Sequence, residues 1–557
     1  MKIVECVPNF SEGRDRSVID GITGEISDTE GAVLLDVDPG ANTNRTVVTL
    51  VGTPDAVIEA AFRAIKRASE LIDMSRHSGE HPRMGATDVC PFVPVSGVTM
   101  DDCAEFARRL GKRVGEELRI PVYLYEYAAS TPERRNLADV RAGEYEGLPE
   151  KLKDPKWKPD FGPAEFNAKS GATVIGAREF LIAYNINLNT RDRKLVNDIA
   201  LTIREKGRWQ RGEDNKIVRD EGGNKVRQPG MFQNCKAIGW YIDEYNRAQI
   251  SINFTNYKVT PPHLVFDAVR ELAAEKGLRV TGSELVGLIP KAAMLEAGRY
   301  YLAKQGKSTG VPERDLIDVA VMSLGLSDIV PFDPAEKIVE YRVEKAGELV
   351  SRPVTGFVDE VSIDSAVPGG GSVAALCGAL SAALSSMVAN LTHGKKGYEE
   401  VWEEVVGIAE RAQKLKDFFV RAVDRDSQAF DAVLAASSLP KTTDEQEQVR
   451  EEAIQAASIG AAAVPLEVLR ETIPALELAR RIAEIGNVNS VSDAGVAAQA
   501  ALTAAVGAAY NVLINLPGID DEEFVKNSSA EAGKLRAQAE KIAAEVDKFV
   551  TGKIAAD

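Results

Sequence analysis

A chain of 557 residues exceeds what one hydrophobic core organises, so two to four domains are expected, and its 44% apolar and 27% charged residues exclude a disordered or collagen-like class. The formal charge of −17 weighs against nonspecific binding to nucleic acid or to an anionic membrane, so an anionic substrate needs a local cluster of Arg and Lys. Cys6, Cys90, Cys103, Cys235 and Cys377 are odd in number and scattered, which suggests neither a disulfide framework nor a zinc site and fits a reducing cytoplasm.

The N-terminus meets Lys2 at once, with no signal-peptide core. Ile3 to Val7, Ala32 to Asp38, Arg45 to Val51 and Val122 to Tyr125 are short β-rich runs bounded by turn residues. Thr53-Pro54-Asp55 starts a helix, with a capping hydroxyl, proline at the first position and a carboxylate at the positive end. Ile58, Phe62, Ile65 and Ile72 follow at helical spacing and mark its buried face. A second α/β segment opens at Phe180 to Leu188, with further strands at Ala237 to Ile242, Gln249 to Phe254 and Leu278 to Gly282. Between Glu205 and Asn234 the chain is polar, Gly-rich and charged without a clear period, which predicts a long flexible loop.

Near Pro331-Phe332-Asp333-Pro334 the alternation of strands and helices stops, and Ala- and Leu-rich helical patterns fill the remainder. The expected organisation is an α/β subdomain over 1–179, a second over 180–328, a linker over 329–353 and an all-helical bundle over 354–557. Ser372 to Leu391 and Ala494 to Ile519 lack charge for about the length of a membrane-spanning helix. Their small residues suit close helix packing, so a buried soluble bundle is the expectation and no membrane partner is foreseen.

His81, one of only four histidines, lies in the run His77-Ser78-Gly79-Glu80-His81-Pro82-Arg83, between a helix and an apolar strand. Imidazole takes and gives protons near neutrality, Pro82 stiffens the adjacent backbone, and Arg83 offers a planar fork suited to a carboxylate. A lone loop histidine also serves as surface or packing, and that reading stays open on these residues alone. In the last domain, Phe419, Val423, Asp426, Phe430 and Val433 form an apolar stripe with Asp426 in its middle, whereas Asp424 shares a side with Asp417, Arg421, Gln428 and Asp431. Burial raises a carboxyl pKa and suits Asp426 to general-acid work; a buried cap or ion pair is the alternative. Pro368-Gly369-Gly370-Gly371-Ser372 leads into a helix, either exposing N–H groups to an anion or carbonyl oxygen or making a tight entry turn. Asn487, Asp493, Asn511 and Asn515 add polar groups at helix ends and on one helical face, where a bound heterocycle is one candidate partner.

These residues carry a resemblance. Cys6 to Gly13, Leu35 to Asp38, Asn44 to Val47, the His81 run and Phe161 to Thr173 resemble glutamate formimidoyltransferase. Pro368 to Ser372, Asp424 to Phe430, Asn487 and Asn511 to Leu516 resemble formimidoyltetrahydrofolate cyclodeaminase, and the two sets stand in the order of the bifunctional enzyme family. The resemblance implies transfer of the formimino group from N-formimino-L-glutamate to tetrahydrofolate, then cyclisation to 5,10-methenyltetrahydrofolate with loss of ammonia. It implies His81 and Asp426 as catalytic, with Arg83 on a substrate carboxylate and Asn9 and Asp38 orienting the imidazole or the amidine. It places one folate on Gly162, Pro163, Ala164, Glu165, Phe166, Asn167, Ala168, Lys169, Ser170 and Gly171. A second folate falls to Gly370, Gly371, Ser372, Asn487, Asp493, Asn511 and Asn515. Tetrahydrofolate as a polyglutamylated co-substrate, no metal, a homo-oligomer and a cytoplasmic place in histidine breakdown complete the expectation.

Two features depart from the family: the length of the 205–234 segment, and Glu284 where some members carry Gln. The rivals are a formyl-donor transferase fused to a methenyltetrahydrofolate cyclohydrolase, and a transferase carrying a noncatalytic helical oligomerisation module.

Overall fold

A computed structural model of the chain describes residues 2–41, 43–79, 81–243, 245–343 and 347–556. The chain divides into two compact units, residues 1–297 with 320–345 and residues 298–319 with 346–557. The first is α/β and the second entirely helical.

Two sheets build the first unit. The larger contains β1 (Ile3–Cys6), β2 (Asn9–Phe10), β3 (Ala32–Gly40), β4 (Arg45–Gly52), β5 (Thr87–Ser96), β6 (Val122–Glu126) and β7 (Thr173–Ala177). β1 and β2 both lie between β4 and β5, β3 flanks β4, and β5, β7 and β6 run parallel while the other pairs are antiparallel. Helices Arg16–Ser27, Pro54–Leu71 and Met100–Glu117 bury their apolar stripes on one face, where Val4, Cys6, Val48, Leu50, Cys90 and Phe92 meet Ile58, Phe62 and Ile65. Thr53 does not cap its helix through its hydroxyl; Pro54 and Asp55 supply the start.

On the opposite face, Met84, Val89, Tyr123, Tyr125 and Val174 pack with Val140, Leu148 and Leu152 from the excursion between β6 and β7. Asn9, Val47 and Asp38 stand in one cross-strand row beside Val89. The His81 run meets the excursion through Arg83, whose carbonyl accepts from Tyr145 N at 2.9 Å.

The second sheet is antiparallel, in the order β11 (Cys235–Ile242), β12 (Arg247–Phe254), β8 (Ile182–Leu188) and β13 (Val280–Val286). Glu284 accepts hydrogen bonds from Asn185 Nδ2 at 3.1 Å and Tyr245 Oη at 3.2 Å, so the departure at this position sits inside a polar network. The segment expected to be a flexible loop is a β-arm instead. β9 (Arg208–Trp209) pairs β10 (Arg227–Gln228), and the pairing continues through Arg211–Ile217 and Arg219–Lys225. Turns at Asn215 and Gly223, both at positive φ, reverse the chain twice, and the Arg227 guanidinium lies 3.8 Å from the centre of the Trp209 ring. Long-range pairing and cation–π stacking order a segment whose local composition is merely polar.

In the helical unit, Gly370–Thr392 is surrounded by Trp402–Ser437, Asp444–Ile485 and Val491–Asn515, with Glu522–Ala556 outside. Ala375, Ala379, Ala382, Ala497, Ala501 and Ala505 let these axes approach closely around Phe419 and Leu476. Gly370–Thr392, Asp444–Ile485 and Val488–Asn515 are long and apolar enough to cross a membrane by length and composition, and here they pack on one another.

Candidate functional site

The His81 run is held from both sides. Asn44 binds three segments: its Oδ1 accepts from Gly13 N at 3.0 Å, its Nδ2 donates to Ser78 O at 3.0 Å, and its carbonyl accepts from His77 Nε2 at 2.9 Å. A carbonyl only accepts, so His77 carries its proton on Nε2, and its Nδ1 receives Arg83 Nε at 3.2 Å. The same logic sets His81. Its Nδ1 lies 2.7 Å from the Pro82 carbonyl and must donate there, which leaves the Nε2 lone pair open to a substrate proton. Partial burial, Arg45 and Arg141 all push the His81 pKa below its ordinary value, favouring the neutral base.

Arg83 does not offer an open fork. Its Nη1 reaches Glu144 at 3.2 Å and Glu146 at 2.9 Å, and its Nη2 reaches Glu146 at 2.6 Å, so the chain's own carboxylates take the place expected for a substrate's. Nor do Asn9 and Asp38 hold the imidazole, a task done by Pro82. Asn9 accepts from Arg45 Nε at 3.2 Å and donates to Val7 O at 2.7 Å, while Asp38 is exposed on edge strand β3. A cluster that sequence reasoning did not single out lies nearby: Arg45 and Arg141 both pair with the fully buried Asp88, which also accepts from Met84 N at 3.0 Å. These residues come from β4, the excursion after β6, and β5, so no local motif joins them.

The segment from Gly162 to Gly171 packs against the residues that follow the His81 run. Ala86 N donates to Ser170 O at 2.9 Å and Ala172 N to Met84 O at 3.1 Å. Gly171, at φ +65°, permits this approach, since a Cβ there would fall 2.2 Å from Met84 O. Asn167 Oδ1 accepts from Ser170 N at 2.9 Å, and Lys169 Nζ donates to Glu70 O at 2.8 Å. Pro163, Ala164, Glu165 and Ala168 form the outer rim, and Phe166, 40% exposed, presents a ring 5.4 Å from that of Tyr145. A flat ring can stack there.

In the helical unit, Gly371, Ser372 and Asp426 converge. Ser372 Oγ lies 3.0 Å from both Asp426 Oδ2 and Val423 O, and 3.2 Å from Ser427 Oγ. Burial raises the Asp426 pKa, opposed by its hydrogen bonds with Ser372. Asn511 faces Gly370 from the neighbouring helix, its Nδ2 donating to Gly507 O at 2.8 Å, and Asn515 bonds Ala461 O at 3.0 Å.

Asn487 and Asp493 do not join this group. Helices Gly370–Thr392 and Val491–Asn515 run antiparallel, so Asn487 N meets Thr392 Oγ1 at the far end, and Asp493 lies roughly 27 Å along the helix from Asn511. Asn487 Oδ1 accepts from Lys395 Nζ at 2.7 Å and caps the next turn at Asn489 N. Asp424, expected on the polar side, is more buried than Asp426. It accepts from Leu349 N at 2.8 Å and Val350 N at 3.3 Å, because the stretch of the helical unit around these two residues folds back over it.

Residues 3–178 match the formiminotransferase domain, N-terminal subdomain, residues 183–344 the formiminotransferase domain, and residues 353–534 the formiminotransferase-cyclodeaminase family. A formimidoyltransferase-cyclodeaminase of Mus musculus is 46% identical over 98% of each chain. The chain belongs to the formimidoyltransferase-cyclodeaminase family. Other relatives match one part of the chain alone. A glutamate formimidoyltransferase of Thermoplasma acidophilum is 44% identical over 58% of this chain and 100% of its own. A methenyltetrahydrofolate cyclohydrolase of Methylorubrum extorquens is 39% identical over 36% of this chain and 95% of its own.

Proposed function

We propose that the chain is a folate-dependent bifunctional enzyme that moves the formimino group of N-formimino-L-glutamate to N5 of tetrahydrofolate and then closes the product to 5,10-methenyltetrahydrofolate with release of ammonia. The observation that supports it most is one chain carrying two complementary groups: an imidazole kept neutral with Nε2 open, and a carboxyl that burial biases toward its protonated form.

In the first step the bond from the formimino carbon to N5 forms and the bond to the glutamate nitrogen breaks. His81 Nε2 takes the N5 proton and returns it to the departing amine, a poor leaving group unless protonated. The 162–171 segment carries the folate ring beside it. In the second, N10 attacks the amidine carbon and its proton passes to the amidine nitrogen; Asp426 gives that nitrogen a further proton, the bond from it to the carbon breaks, and ammonia leaves the methenyl cation, with Ser372 holding the carboxyl in place.

Polyglutamylated folate as the preferred form, a homo-oligomeric assembly, and a cytoplasmic role in histidine breakdown belong to the same reading. The test is an absorbance assay for methenyltetrahydrofolate, begun from formiminoglutamate and tetrahydrofolate, with ammonia measured in parallel. Absence of transfer overturns the first half. The likeness of the helical half to a cyclohydrolase favours one second reading, hydrolysis of the methenyl compound; turnover of that compound without ammonia release from the formimino compound selects it.

A further inference from the structure

An amino-acid donor for this reaction brings carboxylates to a strongly acidic protein. The cavity of about 480 Å³ lined by His77, Ser78, Gly79, Arg83, Gly143, Glu144 and Glu146 is a poor receptor for them, because Arg83 is paired and both glutamates repel an anion. Arg45 and Arg141 present the opposite balance. Two guanidiniums share the single carboxylate of Asp88, and their side chains are only 10% and 14% exposed. Arg45 donates through Nε to Asn9 and through Nη1 to Asp88; Arg141 uses Nε and Nη2 on Asp88. Among the described residues, Arg45 Nη2 and Arg141 Nη1 donate to nothing.

The cluster therefore holds one surplus positive charge, largely withdrawn from water, with two N–H groups unspent. A buried cation without a counter-charge is costly, so the arrangement favours an incoming anion. It is tied to the His81 segment, since Asp88, which joins the two guanidiniums, also accepts from Met84 N at 3.0 Å, three residues beyond the imidazole, and both guanidiniums disfavour protonation of His81. Tyr125, which also faces Arg45 and Arg141, is buried and stays neutral, so it offers no competing charge.

We propose that Arg45 and Arg141 bind the α-carboxylate of the amino-acid donor and so place its departing nitrogen at His81 Nε2. The α-carboxylate and the departing nitrogen share one carbon, so an anchor beside the imidazole positions the reacting group directly. The subsite rests on the transferase reading given above.

The experiment uses the full-length protein, varying formiminoglutamate at saturating tetrahydrofolate and the reverse. Arg141→Gln is expected to raise KM for formiminoglutamate at least tenfold with KM for tetrahydrofolate within twofold, and Arg141→Lys to recover part of the loss. Arg141→Gln also moves the acid limb of kcat/KM to higher pH, because a positive charge near His81 is gone. Independently of any variant, the wild type should discriminate at least tenfold against the formimino derivative of 4-aminobutyrate, which lacks the α-carboxylate; Arg141→Gln should lose that preference. An unchanged KM for formiminoglutamate, a rise confined to tetrahydrofolate, or no discrimination by the wild type overturns the subsite. A wild type that transfers nothing from formiminoglutamate overturns the transferase reading itself, and the subsite with it.

Discussion

A Cβ on Gly371 would lie 2.0 Å from Asp426 Oδ1, so the carboxyl occupies the space that any other residue at the helix entry would fill. The glycine turn is thus a spatial partner of the acid, and the distance rests on the missing side chain as much as on the Ser372 hydrogen bond.

Gly371→Ala is therefore expected to displace Asp426 and to slow cyclisation about a hundredfold, the scale on which misplacement of a reacting group acts. Transfer of the formimino group, measured as formiminotetrahydrofolate formed, should stay within twofold of wild type. Unimpaired cyclisation would show that the carboxyl works from another position.

Asp426→Asn separates chemistry from stability. Burial raises the folded-state pKa of Asp426, so ionisation favours unfolding: stability is complete where both states are protonated, and declines as pH rises beyond the ordinary Asp value of about 3.9 and through the higher folded value. The variant should lose cyclisation, yet melt at or above the wild-type temperature at pH 8 and show no such gain near pH 3. A clear drop in its Tm at pH 8 would mean that the carboxylate is structural.

His81→Ala is expected to lower transferase turnover at least about a hundredfold while tetrahydrofolate still binds, as loss of acid–base catalysis does. In the wild type, the depressed pKa keeps the imidazole neutral to lower pH than an ordinary histidine, so the acid limb of kcat/KM should fall below about 6.5. A limb above that value would contradict the setting formed by partial burial together with Arg45 and Arg141.

How far such sites can be read from sequence depends on what fixes each residue. The helix face of Ile58, Phe62 and Ile65, the succession of strands and the change to an all-helical end follow from local period and turn chemistry, and all appear in the structure. Asp426 was legible as a partly buried acid because helical period places it beside Val423. Asp424 was not, since its burial comes from Leu349 and Val350 folding back across 75 residues of chain. Arg45, Asp88 and Arg141 meet only through sheet pairing and the excursion after β6, and the pairing of Arg83 is not legible locally because Glu144 and Glu146 approach from that same excursion. Antiparallel helix packing, likewise invisible locally, separates Asn487 and Asp493 from Asn511.

Glu5 offers a test of the first unit away from its chemistry. It is 4% exposed on β1, and burial lifts its pKa to about 7, with Arg178 opposing and Glu340 adding to the rise. A raised carboxyl destabilises the fold only when ionised in the unfolded chain: stability is greatest below about 4.5, falls between there and about 7, and stays reduced above. Glu5→Gln removes that loss, a gain of up to about 3 kcal/mol at pH 8 that vanishes near pH 4. Three of the four tryptophans, Trp157, Trp209 and Trp240, lie in this unit, so urea unfolding followed by tryptophan fluorescence reports on it. Equal destabilisation of the variant at both pH values would show instead that the carboxylate is needed as a charged partner within the sheet.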